Sequence, residues 1–115
     1  MSNLRANNAI YTEEIRDTVP HKIPPVGEVM DTRNAKVVLV KVINGLDAGG
    51  VVELRGSTFD DMQNVEDVLD VSVNVAAGET HAIVTDVNWA TVVIVFTADT
   101  PPTTGELKVV FQTGA

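Results

Sequence analysis

Residues 88–97, Asn-Trp-Ala-Thr-Val-Val-Ile-Val-Phe-Thr, constrain the fold of this chain more than any other stretch. The run is apolar, dense in β-branched residues, and holds the single tryptophan of the sequence. Its length suits a strand, and turn-forming residues flank it: Asp86-Val87-Asn88 before, Ala98-Asp99-Thr100-Pro101-Pro102 after. A strand that is apolar on both faces belongs in the middle of a sheet covered by a second layer. The reading that follows is an all-β chain.

The other apolar runs agree. Residues 36–43 form a strand ended by Asn44-Gly45, and Asp47-Ala48-Gly49-Gly50 supply a turn before a second strand at 51–55, with Val52 and Leu54 inward. These two read as a hairpin with a loop longer than two residues. Residues 71–75 alternate strictly, Ala76-Ala77-Gly78-Glu79 is a turn, and 80–84 returns. Residues 106–111 close the domain. Between these strands, Phe59, Met62, Val65 and Val68 recur at near-helical spacing behind a Ser57/Thr58 cap, which predicts a short helix or turn in an acidic loop. Six short strands at near-regular intervals predict a single antiparallel β-sandwich, jelly-roll-like, over residues 36–115.

Residues 1–35 differ in character. They carry Arg5, Arg16, Lys22 and Arg33 against Glu13, Glu14, Asp17, Glu28 and Asp31, a near balance, so the net charge of −8 lies almost wholly in residues 36–115. Pro20, Pro24 and Pro25 force an extended path. The expectation is an extended N-terminal arm, with an edge strand near residues 26–30 as the plainer alternative. Ile10, Tyr11, Ile15, Val19 and Ile23 are its candidate partner-binding residues, Tyr11 being the aromatic anchor. On this reading, removing residues 1–30 leaves a folded body.

Enzymatic chemistry finds no foothold. The chain has no cysteine, and its two histidines, His21 and His81, have no ligand-spaced companion. Neither a Gly-x-Ser-x-Gly elbow nor a phosphate-cradling glycine loop is present. Asp60, Asp61, Glu66, Asp67 and Asp70 concentrate carboxylates, but without the internal glycine and spacing of a calcium loop they read as a solvated acidic segment. Trp89 opens the central strand and reads as core or rim packing rather than as a sugar platform. No catalytic, cofactor or metal residue is therefore expected. The acidic balance argues against nucleic acid and anionic membrane as partners. Residues 1–5 lack a signal-peptide core, and no apolar run approaches the ~20 residues of a membrane span.

Four segments carry a family resemblance: VELRGSTFDD (52–61), VNVAAGET (73–80), VNWATVVIVFTA (87–98) and TGELKVVFQTG (104–114). Together they resemble small β-sandwich domains of phage virion components and bacterial surface proteins. An arm ahead of a compact β-body also looks like capsid decoration (cement) proteins and self-assembling appendage subunits. The resemblance implies a non-enzymatic structural assembly protein in the virion, capsid-decorating or in the tail. Its implied partners are copies of itself and a major capsid or tail protein, in a homo-oligomeric assembly. Alternatives are an extracellular appendage or filament subunit, or a carbohydrate-binding module at the cell surface.

Overall fold

A computed structural model of the chain describes residues 4, 5, 8–25, 29–32, 35–57, 68–87 and 89–114. Two sheets pack face to face. The larger holds β1 (Leu4–Arg5), β4 (Val29–Asp31), β9 (Thr91–Ala98), β6 (Gly50–Ser57) and β7 (Val68–Val75) in that order, with β3 (His21–Ile23) also paired to β9. The smaller runs β2 (Ala9–Glu13), β10 (Leu107–Gly114), β5 (Val37–Asn44), β8 (Thr80–Thr85). Pairing is antiparallel except for the short β1–β4 contact. Among the described residues there is no helix. Of the stretch expected as a short helix or turn, 59–70, residues 59–67 lie outside the described residues, and 68–70 are the start of β7 instead, paired to β6.

The expected central strand is central. On one side β9 pairs with β6 along its whole length, and on the other with β3 at Ile94–Phe96 and β4 at Thr91–Val92. Its inward residues Val92, Ile94 and Phe96 are fully buried in the core. Its outward residues Thr91 and Val93 are buried as well, which is why the run shows no alternation in sequence. Facing β9 across the sandwich are Val38, Val40 and Val42 of β5 and Leu107, Val109 and Phe111 of β10.

At two places where hairpins were expected the chain instead crosses between the layers by an arch. Strands β5 and β6, expected to pair with each other, lie in different sheets, and so do β7 and β8. The five-residue link between β5 and β6 crosses from one layer to the other. Asn44, at the end of β5, holds that crossing from inside. Its Nδ2 donates to the carbonyls of Ala48 at 3.0 Å and Ala76 at 3.1 Å, and its Oδ1 accepts from the Leu46 N–H at 3.1 Å. Its main chain binds the second arch too: the Gly78 N–H donates to Asn44 O, and the Asn44 N–H to Glu79 O. One buried amide therefore ties both crossings together. A turn signal in sequence marks where a strand stops; it does not state which layer the next strand joins.

Among the described residues of the segment expected as an arm, the strands belong to both sheets of this chain. β2 pairs with β10 from Ala9 opposite Phe111 to Glu13 opposite Leu107. Ile15, Ile23 and Met30 are fully buried in the shared core. Burying three such side chains contributes roughly 1.5–3 kcal/mol each, which ties residues 9–25 and 29–31 to the rest of the fold.

At the far end of the sandwich Trp89 lies over Gly56, where an added Cβ would collide with the indole ring. The indole Nε1 donates to Asp70 Oδ2 at 3.0 Å, and Thr85 Oγ1 donates to the same oxygen at 2.6 Å. Asp70 sits where the β6–β7 register shifts, and from there its carboxylate links β7 of one sheet to β8 of the other. Trp89 packs at the rim of the core. Asp70, read in sequence as part of the acidic segment, is engaged in closing that rim.

Candidate functional site

Among the described residues, the titratable side chains form no reactive cluster. His21 Nε2 contacts Asp17 Oδ1 at 2.7 Å, in the exposed loop after β2. This hydrogen bond, with a further one from the Val19 N–H, holds the Asp17 carboxyl below its usual range. His81 is half-buried on the edge strand β8, opposite Val42 of β5. Among the described residues, no three His, Asp or Glu side chains converge as a metal site would require. Asp60, Asp61, Glu66 and Asp67 lie outside the described residues.

The five residues expected to reach a partner divide sharply. Ile15 and Ile23 are fully buried in this chain's own core, so they present no surface to another protein. Tyr11 is half-buried, with its ring edge-on to Phe111 at a centroid separation of 5.9 Å and an interplanar angle of 85°. It anchors β2 to its own sheet, a contact worth about 0.5–1.5 kcal/mol beyond area burial. Ile10 and Val19 remain exposed, at 66% and 54%. Each of the four is a β-branched aliphatic residue in a polar, proline-bearing segment, a composition that does not separate the two sets. Burial was decided by where the fold carried each residue: Ile23 on the core side of β3, Ile10 on the outer side of β2, and Ile15 and Val19 in the link between them.

Ile10 belongs to a larger feature, the outer face of the four-stranded sheet. Register places Ile10, Val110, Lys41 and Ala82 side by side across β2, β10, β5 and β8. The next row toward the β8 C-terminus is Gln112, Leu39 and Val84, with Val84 60% exposed. On the other side runs Thr12, Lys108, Ile43 and Thr80. Each row thus sets aliphatic side chains among lysine, threonine, alanine or glutamine. No carboxylate stands in any of the three rows, although acidic residues outnumber basic ones by 16 to 8 in the chain. With strands ~4.8 Å apart and same-face residues ~6.8 Å apart along them, the face covers on the order of 400 Å². Half-exposed antiparallel sheets normally turn polar residues outward, whereas this face mixes aliphatic side chains with lysine, threonine and glutamine. Sequence alternation assigns Leu39, Lys41 and Ile43 to one face of β5; only register shows that β2, β10 and β8 extend it.

The outer face of the six-stranded sheet is different. A cavity of about 580 Å³ is lined by Pro20, Lys22, Val51, Glu53, Arg55, Val95 and Thr97. Arg55 Nε donates to Glu53 Oε1 at 2.9 Å, so these two charges are paired within the face. It has no aromatic lining on which a sugar ring could stack.

No protein-family model matches this sequence, and no curated protein matches it. Solved structures do. The PBSX exported protein XepA aligns at a TM-score of 0.72 with 18% identity, over 94% of this chain and 37% of XepA. The pre-peptidase C-terminal domain of collagenase from Bacillus anthracis aligns at 0.57 with 13% identity, covering 97% of this chain and 95% of that domain. The K1 cleaved adhesin domain of Lys-gingipain from Porphyromonas gingivalis aligns at 0.50 with 9% identity, over 93% and 99% of the two chains. This chain therefore spans little more than a third of XepA and nearly the whole of the other two. At these identities the likeness establishes the β-sandwich fold.

Proposed function

We propose that this chain is a non-enzymatic structural protein that docks through the outer face of its four-stranded sheet, as a component of a phage particle. The observation that carries the docking role is the three-row face itself: aliphatic side chains and two lysines, with no carboxylate, on a strongly acidic chain. The virion placement continues the resemblance of residues 52–61, 73–80, 87–98 and 104–114 to phage β-sandwich components. Partner contact by residues 1–35 narrows to Ile10 and Val19, the members of the expected set that stay exposed.

Location tests this reading. Antibody raised against the folded chain, applied to particles purified from producing cells, is expected to label particles at regular positions in electron micrographs. Finding the chain only as free protein, with every particle preparation unlabelled, overturns the virion role.

A further inference from the structure

We propose that copies of this chain associate head to tail, the lysine-bearing sheet face of one copy receiving the acidic pole of the next. The inference rests on the assembly role above and names the partner. Several links emerge at one end of the sandwich. β2 ends there at Glu13, opposite Leu107, and β5 ends there at Asn44, also opposite Leu107. β6 starts there at Gly50, opposite both Val75 and Ala98. The links 14–20, 45–49, 76–79 and 99–106 therefore share one pole. They expose Glu14, Asp17, Asp47, Glu79, Asp99 and Glu106. Arg16, the one basic residue in these links, donates to the carbonyls of Ile15 and Gly105.

Three of these carboxylates are held in place. Asp47 accepts from the Thr103 N–H at 2.8 Å and from Thr103 Oγ1, Glu79 from the Ala76 N–H at 2.8 Å, and Asp17 from the Val19 N–H at 3.3 Å. Fixed carboxylates lose less freedom on binding than mobile ones. Val19, 54% exposed, stands among them as an apolar contact. Pole and face thus match in two ways: carboxylates against Lys41 and Lys108, and Val19 against the aliphatic rows of Ile10, Leu39 and Val84.

Face-to-face pairing lacks this match. A two-fold stack would bring Lys41 and Lys108 of both copies to an interface without a carboxylate, desolvating cations with nothing to compensate them. A pole-to-face contact is heterologous, so it propagates into rings or filaments. The face covers about half of the ~800 Å² per partner of a standard stable interface, so a single contact is weak and the assembly depends on concentration.

The test uses the full chain and two charge-reversed variants, Lys41→Glu with Lys108→Glu and Glu14→Lys with Asp99→Lys, each verified as folded by circular dichroism. Sedimentation velocity from about 10 μM to about 1 mM covers the range where a contact of this size acts. The wild-type chain is expected to gain mass with concentration. Raising salt from about 50 to about 500 mM is expected to weaken this association at least about tenfold. Each variant alone is expected to stay monomeric, and their mixture to associate again, because each supplies the sign that the other has lost. A wild-type chain monomeric throughout overturns the inference. If particles still carry that monomeric chain, the virion role stands and the face serves a foreign protein. Association of the Glu14→Lys, Asp99→Lys variant by itself as strong as that of the wild type also overturns it, since reversing two of the pole's six carboxylates removes most of the charge match that a pole-to-face contact requires.

Discussion

Asn44→Ala is the sharpest test of how this sandwich is held. Asn44 is 1% exposed, and its amide serves both arches through the Ala48 and Ala76 carbonyls and the Leu46 N–H. Alanine removes those bonds and leaves the Leu46 N–H and the Ala48 carbonyl without the side-chain partner they have in the buried arch. A lost hydrogen bond costs about 0.5–1.5 kcal/mol, and a buried group left unsatisfied about 1–3 kcal/mol. With two such groups stranded, we expect a loss of about 3 kcal/mol, a large share of the ~5–15 kcal/mol that stabilises a domain. At a urea m-value of about 1.5–2 kcal/mol/M, the midpoint falls by about 1.5–2 M with the slope unchanged. Trp89, packed at the rim of the core, is the fluorescence probe, and the exposed Asn74→Ala is the control, expected within about 0.5 kcal/mol of wild type. Asn44→Asp is expected to be at least as damaging as alanine, because a carboxylate would then face carbonyl oxygens. If Asn44→Ala unfolds within about 0.5 kcal/mol of wild type, the amide does not secure the arches and the argument fails.

Two further outcomes follow from the same geometry. Deleting residues 1–30 removes Ile15, Ile23 and Met30 from the core, roughly 5–9 kcal/mol of burial. The truncated chain is therefore expected to lose its cooperative transition and bind a hydrophobic dye; a truncated chain that melts cooperatively at the full-length temperature refutes this. Hydrogen bonds from Thr103 hold the exposed Asp47 carboxyl below its ordinary value of 3.8. A carboxyl with a depressed folded pKa contributes stability that is fully present above the unfolded value and is lost as pH falls through the lower folded one. Wild type is thus expected to lose stability below about pH 4 more steeply than Asp47→Asn, and parallel acid limbs in thermal melts contradict the assignment.

Strand existence was legible in residues 36–115. β-branched runs broken by Gly, Pro and Asx residues mark β5 through β10, and the unalternated 88–97 run marks the buried centre. Those are local signals, because β-branching and turn chemistry act within a few residues. The hairpin reading of residues 36–55 failed for a nonlocal reason. A turn within a sheet and an arch between sheets use the same glycines and aspartates, and the deciding group, Asn44, acts through carbonyls more than thirty residues away. The Asp70, Thr85 and Trp89 contact was equally hidden, since residues on β7, on β8 and just ahead of β9 meet only once both layers have formed. The candidate site was half legible. Ile10 and Val19 were singled out as apolar residues in a polar segment, and so were Ile15 and Ile23, although these are buried.

By itself, then, the sequence determined that this chain makes strands, where most of them stop, and that its charge is strongly negative, because propensity, turns and charge are properties of residues. Tertiary structure decided which strands share a layer, which aliphatic residues of 1–35 become core, and that two lysines stand on a carboxylate-free face. Those outcomes depend on register, and register is fixed by contacts between residues far apart in the chain, as each strand turns its apolar side toward the other sheet.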